Sequence, residues 1–175
     1  MELAPRAQRQ IIRRMEPLEP PALHQAQAAY GWLELGNLEE AFAELERLPE
    51  ELQLLPAVQT VRLDCLMAAK DWNAAVKLAQ VLCGQWAEEP GLWLHHAYAA
   101  RRCAGGSIEA AYELLAPCVE RFPEEWLIPY NVACYLCQME RLDEARAMLE
   151  MARAKGGERV DTMAKDDEDL APLNL

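Results

Sequence analysis

The residues best suited to chemistry are Cys134 and Cys137, three apart in "YNVACYLCQME" (130–140). Two thiols at this spacing can bind zinc or cycle as a redox pair. Zinc normally takes four ligands, commonly from two such pairs. The chain has no second C-x2-C pair. His95-His96 is the other ligand-like cluster, but neighbouring residues on a helix point about 100° apart. A thioredoxin-like pair needs its first cysteine at a helix N-terminus that follows a strand. Cys134 falls inside a helical pattern instead. The plainer reading is that both cysteines are small apolar fillers.

Other chemistries lack their signals. The chain contains no GxxxxGK[ST], GxGxxG, G-x-S-x-G or HExxH, so the usual phosphate, dinucleotide, serine-nucleophile and zinc signatures are missing. Ser107 is the one serine. It stands in a turn, where its hydroxyl is a natural N-cap for the helix from Ile108. Glu39, Glu40, Glu44 and Glu46 read as a solvated helix face. The chain reads as a non-enzyme with no cofactor.

The elements that carry these residues are helices. Of 175 residues, 52% are hydrophobic and 26% charged, which suits one domain or a short repeat array. Alanine, leucine and glutamate dominate while β-branched residues are sparse, a helical bias. The net charge of −12 argues against nucleic acid, whose binding needs basic surface. Arg6, Arg9, Arg13 and Arg14 cluster near the N-terminus, so the remainder is more acidic still. No apolar run approaches the ~20 residues of a membrane span. "MELAPRAQRQIIRRME" lacks an apolar stretch of signal-peptide type. Six cysteines without an export signal are expected to be reduced thiols in a cytoplasm.

Four stretches share one shape: "GNLEEAF" (36–42), "KDWNAAV" (70–76), "GSIEAAY" (106–112) and "ERLDEAR" (140–146). Their marker alanines, Ala41, Ala75, Ala111 and Ala145, are 34, 36 and 34 residues apart. Downstream of the last, Ala145, Met148, Leu149 and Ala152 keep helical spacing. Upstream, "WLIPYNVACYLCQME" is a helix-length apolar stretch. Each unit is therefore helix, tight turn, helix. Such hairpins cannot bury their apolar stripes alone, and stacking neighbours covers them.

This pattern resembles the tetratricopeptide repeat, W-x2-L-G-x2-Y, then A-x3-F, then P. Val132-Ala133, Leu136, Ala145 and Leu149 stand at its key positions in the fourth repeat; Trp93, His96-Ala97, Ala100, Ala111, Leu115 and Pro123 do so in the third. The two extra residues of the third repeat fall at Gly105-Gly106. The consensus glycine of the first helix is Ala29, Ala97 and Ala133 in three repeats, and Leu63 in the second, where looser packing is expected. The second repeat also has Lys70-Asp71 in place of a turn glycine.

The resemblance implies an all-α fold, a right-handed superhelical solenoid of about four helix-turn-helix repeats. They cover about 22–55, 56–89, 90–125 and 126–155, within a repeat region of 21–155. A basic helical arm (1–20) precedes them, with Ile11, Ile12 and Met15 as a narrow apolar stripe and prolines at 17, 20 and 21 as its stop. A cap (156–175) follows. Gly156-Gly157 ends the last repeat helix. "ERVDTMAK" is expected to lay Val160 and Met163 on the last repeat, and "DDEDLAPL" to form an acidic turn anchored by Leu170 and Leu173. From about Trp126 onward the chain resembles a family of small bacterial repeat proteins, in which a "YNLACY" helix precedes a "DDPDLEPL"-like tail. That likeness speaks to fold more than to function.

In this fold partners lie along the first helix of each repeat. The register puts Tyr30, Glu34, Asp64, Met67, His95 and Tyr98 there, then Arg101, Arg102, Tyr130, Asn131, Cys134 and Gln138. Tyr98, Tyr130 and the two arginines suit an extended segment carrying a carboxylate, since aromatic and arginine side chains are common anchors. The main reading is a non-enzymatic protein-interaction module of the cytoplasm. Its partner is a protein or peptide, with self-association through the N-terminal arm as a further route. A secretion chaperone of the repeat class is the alternative, and a metal or redox protein using Cys134 and Cys137 the third. Two stability expectations follow: Ala133→Trp overfills a close helix crossing, and Gly105→Ala costs little by comparison.

Overall fold

The structure, a computed structural model, describes Glu19, Pro20 and residues 22–174. The arginines and apolar stripe expected of an N-terminal arm lie outside the described residues. All regular elements among the described residues are helical. No helix there is long and apolar enough to cross a membrane. The chain divides into two compact units, Met1–His95 and His96–Leu175.

The first unit holds α1 (Ala22–Glu34), α2 (Leu38–Glu46), α3 (Glu50–Gln53), α4 (Pro56–Ala68), α5 (Trp72–Gln85) and the start of α6 (Pro90–Ala100). α1 and α2 form a hairpin, α4 packs on both, and α5 returns along α4. The core between them includes Ala26, Ala29, Ala41, Leu45, Val58 and Val61. Alanines at these crossings let the backbones approach. The second unit holds the end of α6, then α7 (Ile108–Leu115), α8 (Cys118–Arg121), α9 (Leu127–Gln138), α10 (Leu142–Gly156), α11 (Glu158–Ala164) and a 3-10 turn (Glu168–Leu173). α9 packs on α7 and α10, α11 on α10, and the 3-10 turn on α9 and α10.

Three hairpins close with one turn. In the first, the Gly36 N–H donates to Leu33 O (2.9 Å) and the Asn37 N–H to Trp32 O (2.9 Å). Lys70 and Asp71 make the same pair of bonds to Met67 O (3.1 Å) and Leu66 O (3.0 Å), as do Glu140 and Arg141 to Cys137 O (3.0 Å) and Leu136 O (2.9 Å). This is the Schellman arrangement, which satisfies carbonyls left open at a helix end. It needs a left-handed residue at its first position: Gly36 has φ +75°, Lys70 +57° and Glu140 +60°. A side chain there costs about 1–2 kcal/mol, yet the turn keeps its form. The helices after the first two of these turns start on side-chain caps, as does α7: Asn37, Asp71 and Ser107 accept from Glu40, Ala74 and Ala110 N–H, whereas α10, after Arg141, has no side-chain cap.

The marker alanines Ala41, Ala75, Ala111 and Ala145 are all fully buried. Leu63 is equally buried, so the first unit takes in the larger side chain rather than extruding it. The third hairpin differs. Gly105 lies at φ +76°, a left-handed conformation in which an alanine would be strained. At Gly106 a Cβ would sit 2.0 Å from the Ala100 carbonyl oxygen, so the insertion depends on glycine at both positions.

Candidate functional site

In the second unit the acidic tail folds back onto α9. α10 ends at Gly156, and Gly157, with a φ of +56°, turns the chain into α11. There Val160 is fully buried while Met163 is only partly so. After exposed Lys165 and Asp166, Asp167 starts the 3-10 turn. Its Oδ1 accepts from Asp169 N–H (3.1 Å), capping the turn, which leaves Oδ2 facing α9. The turn has a period near three, so Leu170 and Leu173 share a face, and both are buried.

The tail is held by side chains from well-separated parts of the unit. Arg101 forks onto Asp169, Nη1 to Oδ2 at 2.5 Å and Nη2 to Oδ1 at 3.0 Å. A two-pronged guanidinium–carboxylate pair is both strong and directional. The Tyr130 hydroxyl donates to Asp167 Oδ2 (2.8 Å), and the Cys134 thiol reaches the same oxygen at 3.7 Å. Gln138 Nε2 donates to Asp169 O (3.2 Å), and Arg146 Nη2 to Leu173 O (3.3 Å). Tyr130, Cys134 and Gln138 repeat at i, i+4 and i+8, which keeps them on one stripe of α9. Tyr130 is fully buried and meets Trp126 edge-on, with ring centroids 6.4 Å apart.

Electrostatics match this arrangement. The Arg101 hydrogen bond holds the Asp169 carboxyl below the usual aspartate range. Asp169 in turn raises the Arg101 pKa. Burial, and then the hydrogen bond to Asp167, push the Tyr130 phenol up. Burial first, with the negative Asp167 and Asp169 next, pushes the Cys134 thiol well above its ordinary value. Both groups thus keep the protons they donate. A thiol so raised is a poor nucleophile and a poor metal ligand, since thiolate is the reactive form. Cys137 is raised by burial too, and all six cysteines are free. Among the described residues no group of three or more His, Cys, Asp or Glu side chains is placed to hold a metal ion.

The remaining residues placed on this face by register divide. Arg102 stacks over the Tyr98 ring, 3.6 Å from its centroid, and donates to Tyr98 O. Asn131 spends its amide on Leu127 O one turn back (2.8 Å). In the first unit Glu34 is exposed and Met67 half-buried, while Tyr30 is buried. Asp64 and His95 correct the register reading most. They are 3% and 2% exposed, with Asp64 Oδ1 3.4 Å from His95 Nε2, and line no surface. Burial pushes the Asp64 carboxyl up to about 8 and the His95 imidazole down to about 4. They form an interior polar pair.

The register did not supply Asp167, Asp169 or Arg146. Arg101 and Asp169 are 68 residues apart, beyond any local pattern, and the tail's acidic run resembles a solvated one. No family model matches the chain, and no curated protein matches it either.

Proposed function

We propose that the chain is a non-enzymatic protein-interaction module, a tetratricopeptide-like solenoid that binds a peptide or protein partner along the first helices of its repeats. One observation carries this reading. The stripe of α9 that the repeat register assigns to partners is in contact with polypeptide: Tyr130, Cys134 and Gln138 grip a tail segment by the Asp167 carboxylate and the Asp169 carbonyl, while Arg101, beyond α6, holds the Asp169 carboxylate and Arg146, on α10, the Leu173 carbonyl, with Leu170 and Leu173 buried. A surface with these donors is suited to short acidic segments, because each grip is a directional bond to a group that such a segment carries. The raised thiol of Cys134 favours this role over a redox or metal one. A cytoplasmic setting fits the free thiols.

The test is capture of partners from native cell extract on the immobilised full chain, with mass spectrometry of what remains bound. Arg101→Glu plus Arg102→Glu serves as the paired variant, its helix content checked by circular dichroism. The proposal expects a specific set of bound proteins that the variant changes. A chain that retains nothing specific, with or without the substitutions, refutes it.

A further inference from the structure

The tail contacts have the character of a recognition complex whose two halves belong to one chain. Among the described tail residues four side chains point inward: Asp167 and Asp169 to polar donors, Leu170 and Leu173 into the packing. Those between and around them, Asp166, Glu168, Ala171 and Pro172, are exposed. The segment is thus read through a D-x-D-L-x-x-L spacing. The grip is charge-complementary in a chain of net charge −12: a guanidinium, a phenol and a thiol converge on two carboxylates. Nothing in these contacts requires the tail to be covalently attached.

We propose that the tail is an intramolecular ligand, and that its clasp accepts in its place an acidic segment of a partner protein with two carboxylates one residue apart followed by leucine. The proposal rests on the interaction-module reading and adds both the partner's chemistry and its control. A tethered segment competes at an effective concentration of about millimolar. The intact chain therefore shows weakened affinity for such a partner, in proportion to the fraction of time the tail is away. Binding becomes selective for segments that outcompete the tail.

The probe is a labelled peptide with the sequence of residues 165–174, KDDEDLAPLN, titrated by fluorescence anisotropy into two full-length proteins. One is the native chain. The other carries Asp169→Ala and Leu170→Ala, which release the tail while leaving α9 intact. The released chain is expected to bind at least about tenfold more tightly than the native one. Adding Arg101→Gln to it, or replacing both peptide aspartates equivalent to Asp167 and Asp169 with asparagine, is expected to abolish the gain. Equal affinity for the two proteins, or no binding by the released chain, overturns the proposal. Should the double variant lose its helix content, Asp169→Asn alone carries the same comparison with a smaller gain. A dimer formed by the native chain through exchanged tails also overturns it, because the ligand would then not be intramolecular. If the peptide fails while the intact chain still captures specific partners, only this inference falls. If both fail, the interaction-module reading falls with it.

Discussion

Asp64 and His95 make the first unit sensitive to pH in a narrow window. Burial raises Asp64 from 3.8 to about 8 and lowers His95 from 6.5 to about 4. Whichever of the two carries it, the folded pair holds one proton between about pH 4 and 8. In the unfolded chain the same two groups hold one proton between 3.8 and 6.5, and none above. The states therefore differ between pH 6.5 and 8, where the folded form holds the extra proton. Stability falls with rising pH wherever the folded state binds more protons. At about 1.4 kcal/mol per pH unit, the loss across this window is about 2 kcal/mol. Below pH 6.5 the raised carboxyl and the lowered imidazole have opposing slopes and cancel. Urea unfolding followed by tryptophan fluorescence measures this, since Trp32, Trp72, Trp86 and Trp93 all lie in the first unit. Asp64→Asn keeps the shape and removes the titration. The native chain is expected to weaken between pH 6.5 and 8, and the variant to stay flat there. A native chain that is flat in this window, or an Asp64→Asn chain that falls with the native slope, refutes a shared buried proton.

Three further predictions concern turns and packing. Lys70→Gly relieves a left-handed side chain worth about 1–2 kcal/mol at an entropic cost of about 0.5–1 kcal/mol. A net gain of up to about 1.5 kcal/mol is expected in chemical denaturation. Gly106→Ala drives a Cβ to 2.0 Å from the Ala100 carbonyl oxygen and is expected to cost more than about 3 kcal/mol. Gly105→Ala, which meets only left-handed strain, is expected to cost about 1–2 kcal/mol, and thermal melts order the two. Ala133→Trp overfills a fully buried position on α9. It is expected to cost about 1–3 kcal/mol or more, visible as a lower midpoint with loss of near-ultraviolet signal.

The hairpins were legible because their signals are local. Marker alanines recur at near-constant spacing, and each is buried where α2, α5, α7 or α10 meets its neighbours. Ser107 could be read as a cap from its place before Ile108. The turn at Lys70 was not legible as a copy of that at Gly36. Its form comes from backbone hydrogen bonds that override the residue's own preference. Asp64 and His95 misled for a different reason. Helical register gives a residue's direction, but what stands opposite is set by tertiary contacts. On that opposite side each met the other rather than solvent. The tail lay furthest from reach: Leu170 and Leu173 were expected as anchors from their apolar character, whereas Asp167 and Asp169 acquire partners only once distant segments meet.

The clasped tail is tested most directly by amide hydrogen exchange at residues 168–173 in the intact chain. The Asp169 and Leu170 N–H groups are bonded to Asp167 Oδ1 (3.1 Å) and Asp167 O (3.0 Å), and the turn is held by Arg101. These amides are expected to exchange slowly at neutral pH, and Arg101→Gln to speed them. Because Asp169 is held below the ordinary aspartate range, its contribution is present above about pH 3.8. It is lost as pH falls through the lower folded value, and protection is expected to go with it. Tail amides in the intact chain that exchange at the rate of a free peptide would contradict the account.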